Sequence, residues 1–455
     1  MNLEVKPLKH HSRIEMDLLH GSIADKLLYI ALPLAATGFL QQLFNAADVA
    51  VVGRFVGESA MAAVGGNAPV VGLLVNLFVG VSLGTNVVIS QYIGQQNHEG
   101  IRKAVQTSVL FALLGGVVFS LIGELIAPRL LSLLSVPEDV IGMALTYLRI
   151  YFLGLPVIFL YNFEAAIFRA KGDTRTPLMV LSVSGVLNVL LNLFFVLALG
   201  MDVAGVALAT LASNLLSAVI LFILLCRSSS DVRFNIHELG FDRRVLKKIL
   251  HVGVPTGIQS AVFSIANICV QSAINSLGTT VMAASSAAFN LEIFAYYMLN
   301  SFGQAGTTIV GQNYGAGNID RCHKTLRVTL LLDAAFTVLS CTLILVFAAP
   351  LLSIFNDNPE VIRYGTIRLE YIFASYLFSM LVDVFSGYLR GFGQATLPAF
   401  STMFCVIGVR ISWVYLVFPR YRSFAGLMLV YPISLALNAC VIITSWLVFR
   451  KRRNL

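Results

Sequence analysis

The chain has 455 residues, 57% of them apolar and only 12% charged, with a mean hydropathy of +0.83. Soluble domains carry roughly 25% charged residues, so composition argues against a cytosolic enzyme. Lysine and arginine number 31 against 23 acidic residues, a formal +8; on so apolar a chain this excess points to loops beside anionic lipid, with no need of a nucleic-acid partner.

Lys6, Lys9, Arg13 and Lys26 precede the first apolar run, which is too long for a signal peptide and has no small-residue cleavage site after it. A bilayer core of about 30 Å needs about 20 apolar residues per helix. Twelve runs meet that demand, near 27–52, 62–92, 104–134, 139–163, 177–200, 203–226, 249–276, 281–311, 325–355, 361–388, 397–419 and 424–449. The expected fold is therefore an all-α integral membrane protein. Cys226, Cys269, Cys322, Cys341, Cys405 and Cys440 form no CxxC pair and have no histidine at ligand spacing, so they read as small apolar residues.

The chain also resembles itself at a spacing of 221 to 222 residues. Pro33 answers Pro255, Gly84-Thr85 answers Gly306-Thr307, and Gln91 and Gly94 answer Gln312 and Gly315. Ala127-Pro128 answers Ala349-Pro350, Pro137-Glu138 answers Pro359-Glu360, and Arg169, Gly172 and Pro177 answer Arg390, Gly393 and Pro398. The predicted organisation is a segment 1–26, a six-span lobe 27–226, a linker 227–248, a second six-span lobe 249–449 and a basic tail 450–455. Six is even, so both lobes enter the membrane from one side and are related by a pseudo-twofold along the membrane normal. Arg102, Lys103, Arg169, Lys171, Arg175, Arg227, Arg233, Arg243, Arg244, Lys247, Lys248, Arg321, Lys324, Arg327, Arg390 and Arg450 to Arg453 gather on the side of the N-terminus, against Arg54, Arg129, Arg363, Arg420 and Arg422 on the other. The positive-inside rule then makes both termini cytoplasmic.

Ionisable residues within the spans are expensive and mark candidate sites. Gln41, Asn45 and Asp48 follow at i, i+4, i+7, one face of the first span. The fifth span carries Ser184, Asn188 and Asn192, and the sixth Thr210, Ser213 and Asn214. Their neutral oxygens around one carboxylate suit a proton or a hard monovalent cation better than a transition metal; the competing interpretation is interhelical glue. In the second half Cys269 or Val270 stands opposite Asp48, and the seventh span shows the neutral stripe Ser260, Ser264, Asn267 and Gln271. Glu292 reads as a cation-attracting cavity residue, and Asp383 and Arg410 as an ion pair across neighbouring helices. Glu124, Arg149, Glu164, Arg368 and Glu370 are expected at the membrane interface. Pro33, Pro156 and Pro255 permit kinks, and Gly65-Gly66 and Gly115-Gly116 are read as close packing sites.

With these features assembled, the chain resembles the multidrug and toxic compound extrusion family over roughly residues 20–450. The carriers are ALPLAATGFLQQLFNAADVAVVGRFVG, GTNVVISQYIGQQN, FRAKGDTRTP, NVLLNLFF, GVALATLASN, GVPTGIQS, GTTIVGQNYGAG and LRGFGQAT. The resemblance implies an antiporter of the bacterial plasma membrane expelling organic, often cationic and amphipathic, compounds in exchange for H⁺ or Na⁺, with no cofactor, no enzymatic activity and no obligate protein partner. It implies cation coupling at Asp48, Asn188, Asn192 and Thr210. Gln41, Asn45, Asn267, Gln271, Glu292, Asp383 and Arg410 are the expected cavity residues, and Pro33 and Pro255 the conformational ones. Asn192 stands where relatives often hold Asp, and Phe263 and Ser264 where some hold Glu, which weakens the case for Na⁺. The alternative is a lipid or lipid-linked glycan flippase of the same superfamily, which calls for a cluster of buried arginines where the sequence offers Arg410.

Overall fold

The computed structural model describes residues 16–133, 138–228 and 231–452. Lys6, Lys9, Arg13, Pro137 and Arg453 lie outside the described residues. Among the described residues ten helices are long and apolar enough to cross a membrane, and a bent pair supplies one more. The first lobe consists of α1 (Ile23–Phe55), α2 (Glu58–Gly94), α3 (His98–Leu133), α4 (Glu138–Leu153), α5 (Leu155–Ala170), α6 (Arg175–Leu193) and α7 (Asp202–Cys226). α4 and α5 form one span, bent by 48° at Gly154. Pro156, near the start of α5, has no N–H to continue the α4 ladder across that break. Pro33 and Pro255, by contrast, lie inside unbroken helices.

The second lobe consists of α8 (Arg243–Asn275), α9 (Thr279–Gly315), α10 (Ile319–Val346) with the short α11 (Ala348–Ser353), α12 (Pro359–Gly391), α13 (Thr396–Thr402), α14 (Val409–Ser412), α15 (Phe424–Met428) and α16 (Val430–Arg452). α9 completes the twelve spans: its 37 residues are long enough, while Asn290, Glu292, Asn300, Gln304 and Gln312 dilute its apolarity. α13 and α14 belong to one span together with two π-helical stretches, Met403–Gly408 and Trp413–Val417. A third π stretch, Phe194–Ala198, ends the α6 span.

Helix starts follow ordinary capping chemistry. Ser22 caps α1, Asn318 caps α10, and Asn358 caps α12 ahead of Pro359. Asp242 caps α8 by accepting from the backbone N–H of Arg244 and Val245, so α8 begins within the stretch expected as linker. The preceding residues are not a loose tether: Val232 and Phe234 are buried among α3, α5 and α7, and Gln106 donates to the Asn235 carbonyl at 2.9 Å.

Each lobe has its own apolar core. One extends from Val270 to Phe449, and the others fill the first bundle. Two seams flank the crossing of α2 with α9 that joins the lobes. Leu27, Ile30 and Ala31 of α1 pack on Phe302, Ala305 and Ile309 of α9, while Val87 of α2 packs on Val252 of α8 and on Ala395. α1 and α8 are the first spans of their repeats, and α2 and α9 the second, so each seam is the image of the other.

Glycines set how closely these helices cross. A methyl group on Gly84 would overlap the Ile249 carbonyl, and one on Gly94 the Gln312 carbonyl. Gly116 lies against the backbone of Pro156, as expected for a packing glycine, but Gly65 and Gly66 meet nothing within 4 Å. The expectation for Gly65-Gly66 is thus overturned: that part of α2 lies farther from Gly94 than Asn76, which meets Ser264 of the second lobe at 3.1 Å. The lobes meet closely at the end bearing Gly94 and Gly315, whereas Gly65, Gly66 and Gly72 towards the other end of α2 face open space.

Candidate functional site

Asp48 stands in the last third of α1 and is only 7% exposed. Its Oδ1 accepts from Asn192 Nδ2 at 2.5 Å and its Oδ2 from Thr210 Oγ1 at 3.2 Å. Asn188 completes the set, accepting from Asn192 at 3.3 Å and donating to Thr210 at 3.4 Å. Helical spacing accounts for the convergence: Asn188 and Asn192 are one turn apart on α6 and present both amides to the same face. The rest of the expected shell goes elsewhere. Ser184 bonds Ser217, Ser213 and Asn214 bond the Thr210 carbonyl, and Gln41 is half-buried and Asn45 exposed, both outside this hydrogen-bonded group. The sequence reading missed Tyr147 of α4, a buried residue close enough to interact electrostatically with Asp48.

Every group bonded to Asp48 is neutral. Among the described residues no lysine, arginine or histidine lies within ion-pair distance of it, so any charge it carries is uncompensated by the protein. An uncompensated carboxylate within the bilayer costs several kcal/mol, and the natural relief is a proton or a bound cation. The two Asp48 oxygens, Thr210 Oγ1 and Asn188 Oδ1 are oxygens of the kind a hard monovalent ion takes, whereas Asn192 turns its amide nitrogen to Asp48 and leaves its Oδ1 buried without a partner among the described residues. Among the described residues no three His, Cys, Asp or Glu converge as a metal site.

The second lobe corrects several expectations. Asp383 and Arg410 do not pair. Asp383 interacts with Asn300 and Arg390, whereas Arg410 donates to Asn267 Oδ1 at 2.5 Å and Ser434 Oγ at 3.2 Å. Depth explains this: Asp383 lies 8 residues from the basic end of α12, and Arg410 lies 14 residues beyond Thr396 of its own span, a difference of about 9 Å at 1.5 Å per residue.

Glu292 is no free cation attractor either, because Arg368 engages both its oxygens, at 3.0 and 2.7 Å. Arg368 is thus buried at 3% exposure instead of at the interface. Its Nη1 also donates to Ser285. Arg390 is buried as well, so Arg410 is one of three buried arginines in this lobe among the described residues. Gln271 bonds Asn275. Glu164, expected at the interface, is fully buried on α5, and neither carboxylate oxygen has a partner among the described residues. Glu124 and Arg149 do pair, at 3.7 Å, and Glu370 is exposed.

The end at which the lobes meet repeats its contacts across the pseudo-twofold. Gln91 Nε2 donates to the Gly391 carbonyl at 2.9 Å, and its counterpart Gln312 donates to the Ala170 carbonyl at 2.7 Å. The N-terminal strap is clamped there too: Asn313 and Arg321 of the second lobe bond the Leu18 carbonyl, and Lys26 bonds the Asp17 and His20 carbonyls.

Comparison with known proteins agrees with this architecture. The chain is 29% identical over 432 residues to "Probable multidrug resistance protein YoeA" of Bacillus subtilis, covering 92% of this chain and 93% of that one. It is 24% identical to a "FAD transporter" of Shewanella oneidensis, over 79% of this chain and 83% of the relative. A solved structure described as the outward-facing conformation of a MATE family transporter superposes with a TM-score of 0.86 at 22% identity, covering 96% of this chain and 97% of that one. The MatE family model matches residues 33–194 and 255–416, one match in each lobe, and the chain belongs to this family of multi-pass membrane transporters.

Proposed function

We propose that the chain is a secondary antiporter of the plasma membrane that expels organic amphipathic compounds in exchange for inward H⁺ or Na⁺. The observation that carries this is Asp48: a carboxylate inside the first lobe, held solely by neutral groups, in a molecule whose lobes meet closely at one end and whose α2 faces open space towards the other. The closed end bears the basic residues, so the positive-inside rule makes it cytoplasmic, together with both termini. The conformation is then outward-facing.

In the mechanism, Asp48 takes up a proton or cation from outside while the lobes are apart on that side. Neutralisation changes what Asn188, Asn192 and Thr210 hold in place, and cargo leaves the cleft. The lobes then rock about the pseudo-twofold, the Gln91 and Gln312 contacts break, and the ion is released inward as new cargo enters. Coupling requires that ion and cargo each bind the two states with different affinity; a carboxylate that both can neutralise meets that condition. The expected cationic cargo fits Asp48, and the FAD carried by one relative indicates that cargo within this fold varies.

The test is efflux of a lipophilic dye from proteoliposomes under an imposed pH or Na⁺ gradient. Asp48→Asn should abolish gradient-driven efflux. Efflux by this variant with unchanged dependence on the gradient would overturn the reading.

A further inference from the structure

The second lobe sets a buried cation at the position equivalent to Asn188 of the Asp48 site, among residues equivalent to Thr210 of that site and to Asn45 and Ser213 beside it. Arg410 comes 222 residues after Asn188, Asn267 comes 222 after Asn45, Tyr431 comes 221 after Thr210, and Ser434 comes 221 after Ser213. All four sit together: Arg410 bonds Asn267 and Ser434, and its guanidinium lies 4.5 Å from the centre of the Tyr431 ring. Where the first lobe has Asp48, this one has the apolar Val270, which is fully buried. Where the first lobe has the neutral Asn188, this one has a cation.

The backbone is built for the exchange. The spacing is 221 at Pro177 and Pro398, but it is 222 between Asn188 and Arg410. The π-helical stretch Met403–Gly408 lies between, whereas α6 runs as regular α-helix to Leu193. A π turn accommodates one extra residue, and such turns concentrate at functional sites. Here it rotates Arg410 onto the face that Asn188 occupies in the first lobe.

Arg410 is 2% exposed, and among the described residues no carboxylate lies within ion-pair distance of it. Glu292 is close enough to interact, but both its oxygens are committed to Arg368. A buried, unpaired guanidinium is costly, and intramembrane charges of this kind mark ligand paths. The path leads to the cleft. On α8 the exposed apolar residues Val254, Ile258, Ile265 and Ile268 form the lipid face, whereas Ser264 and Asn267 lie about 85° and about 145° from its centre at 100° per residue, and Ser264 reaches Asn76 of the other lobe. Asn267 is exposed on that cleft face and is the group an incoming anion would displace.

We propose that Arg410, with Asn267 and Tyr431, binds the carboxylate of an organic cargo, so that the cleft has a cation-binding pole at Asp48 and an anion-binding pole at Arg410 and selects zwitterionic amphiphiles. A guanidinium fork matches a carboxylate in two parallel hydrogen bonds, and the Tyr431 ring shields its other face from lipid. The proposal rests on the efflux reading for its biological sense, but its test does not.

The probes are rhodamine B, a zwitterion with a free carboxylate, and its ethyl ester, a cation of nearly the same shape. Binding to the full chain in lipid nanodiscs is followed by fluorescence anisotropy at equilibrium, without any gradient. The wild type should bind the free acid about tenfold or more tighter than the ester, the worth of one charge-assisted hydrogen-bonded pair. Arg410→Gln should erase that preference and Arg410→Lys should keep most of it. Asn267→Asp, which supplies an internal carboxylate to the guanidinium, should erase it too and serves where Arg410→Gln fails to fold. Equal binding of both dyes by the wild type, or a preference that survives Arg410→Gln or Asn267→Asp, overturns the proposal. Because no ion gradient enters, failure of the Asp48 coupling would leave this result standing, and the reverse.

Discussion

Thr308 of α9 donates a hydrogen bond to Asn86 of α2 at 3.2 Å, so the second spans of the two lobes touch directly. α2 and α9 begin and end 221 residues apart, so each helix is the other's counterpart and the pseudo-twofold passes close to this contact. Two turns further on, Gly94 and Gly315, also counterparts, each lie against the other helix with no room for a side chain. The closed end is therefore a symmetric crossing of two second spans, and its closeness depends on two missing methyl groups.

Gly315→Val should therefore hold the basic end apart. Forcing a side chain into a packed crossing costs about 1–3 kcal/mol, and that shift between the two facing states lowers turnover about tenfold. The check is dye efflux, with Gly72→Ala as the control, since Gly72 lies in open space on α2. Gly94→Val should match Gly315→Val, because the crossing is the same from either side. If Gly315→Val transports like the wild type, the crossing does not limit the cycle.

Asn192→Asp should raise Na⁺ dependence. Asn192 Nδ2 is 2.5 Å from Asp48 Oδ1, so the substitution sets two carboxylates face to face with only neutral neighbours. Two such groups cannot both stay ionised without a cation between them, and two carboxylates bind Na⁺ more tightly than one. The half-saturating Na⁺ concentration for efflux should fall by about tenfold, equivalent to about 1.4 kcal/mol. An unchanged Na⁺ response would show that the coupling ion does not sit between these residues.

Asp242 supplies a pH-dependent contribution to stability outside the membrane. It accepts backbone hydrogen bonds from Val245 and Arg244, with Lys103 and Arg244 adding favourable charge, and its pKa is held below the ordinary carboxylate value. A lowered folded-state value means that the contribution is present above the ordinary carboxylate range and is lost as pH falls through the folded value. The fall in melting temperature between neutral and acidic pH should be smaller in Asp242→Ala than in the wild type, as followed by differential scanning fluorimetry. Equal falls would mean that the cap contributes nothing to this dependence.

Much of this molecule was legible in the sequence, for reasons specific to membranes. Apolar length announces a span, and the spacing of Pro33 to Pro255 and of Gln91 to Gln312 announces the repeat. The trio Asn188, Asn192 and Thr210 was legible because helical periodicity on α6 and the order of the spans restrict which polar groups share a depth. Pairing between the long charged side chains was not. The sequence set Arg410 opposite Asp383 and left Arg368 at the interface, whereas the side chains of Arg368 and Glu292 meet across α12 and α9. Depth decides such pairings, and the π stretch before Arg410, which changes both depth and facing, has no reliable signature in residue type. The open setting of Gly65-Gly66 depends on how far the lobes part, which composition does not encode.

The Arg368 and Glu292 pair gives the last prediction, a structural one. Both are buried, at 3% and 6% exposure. The guanidinium is further tied to Ser285, and the Tyr376 hydroxyl donates to the Glu292 carbonyl. Removing one partner of a buried ion pair leaves the other charge without its counter-ion at a cost of about 3–5 kcal/mol, while replacing both with neutral groups of similar size is often nearly neutral. Glu292→Gln should therefore lower the melting temperature sharply, and adding Arg368→Met should restore most of the loss. A double variant no more stable than Glu292→Gln would show that the carboxylate acts through something other than Arg368. A mild effect of Glu292→Gln on stability with a large one on efflux would return Glu292 to the cavity role that the sequence first assigned it.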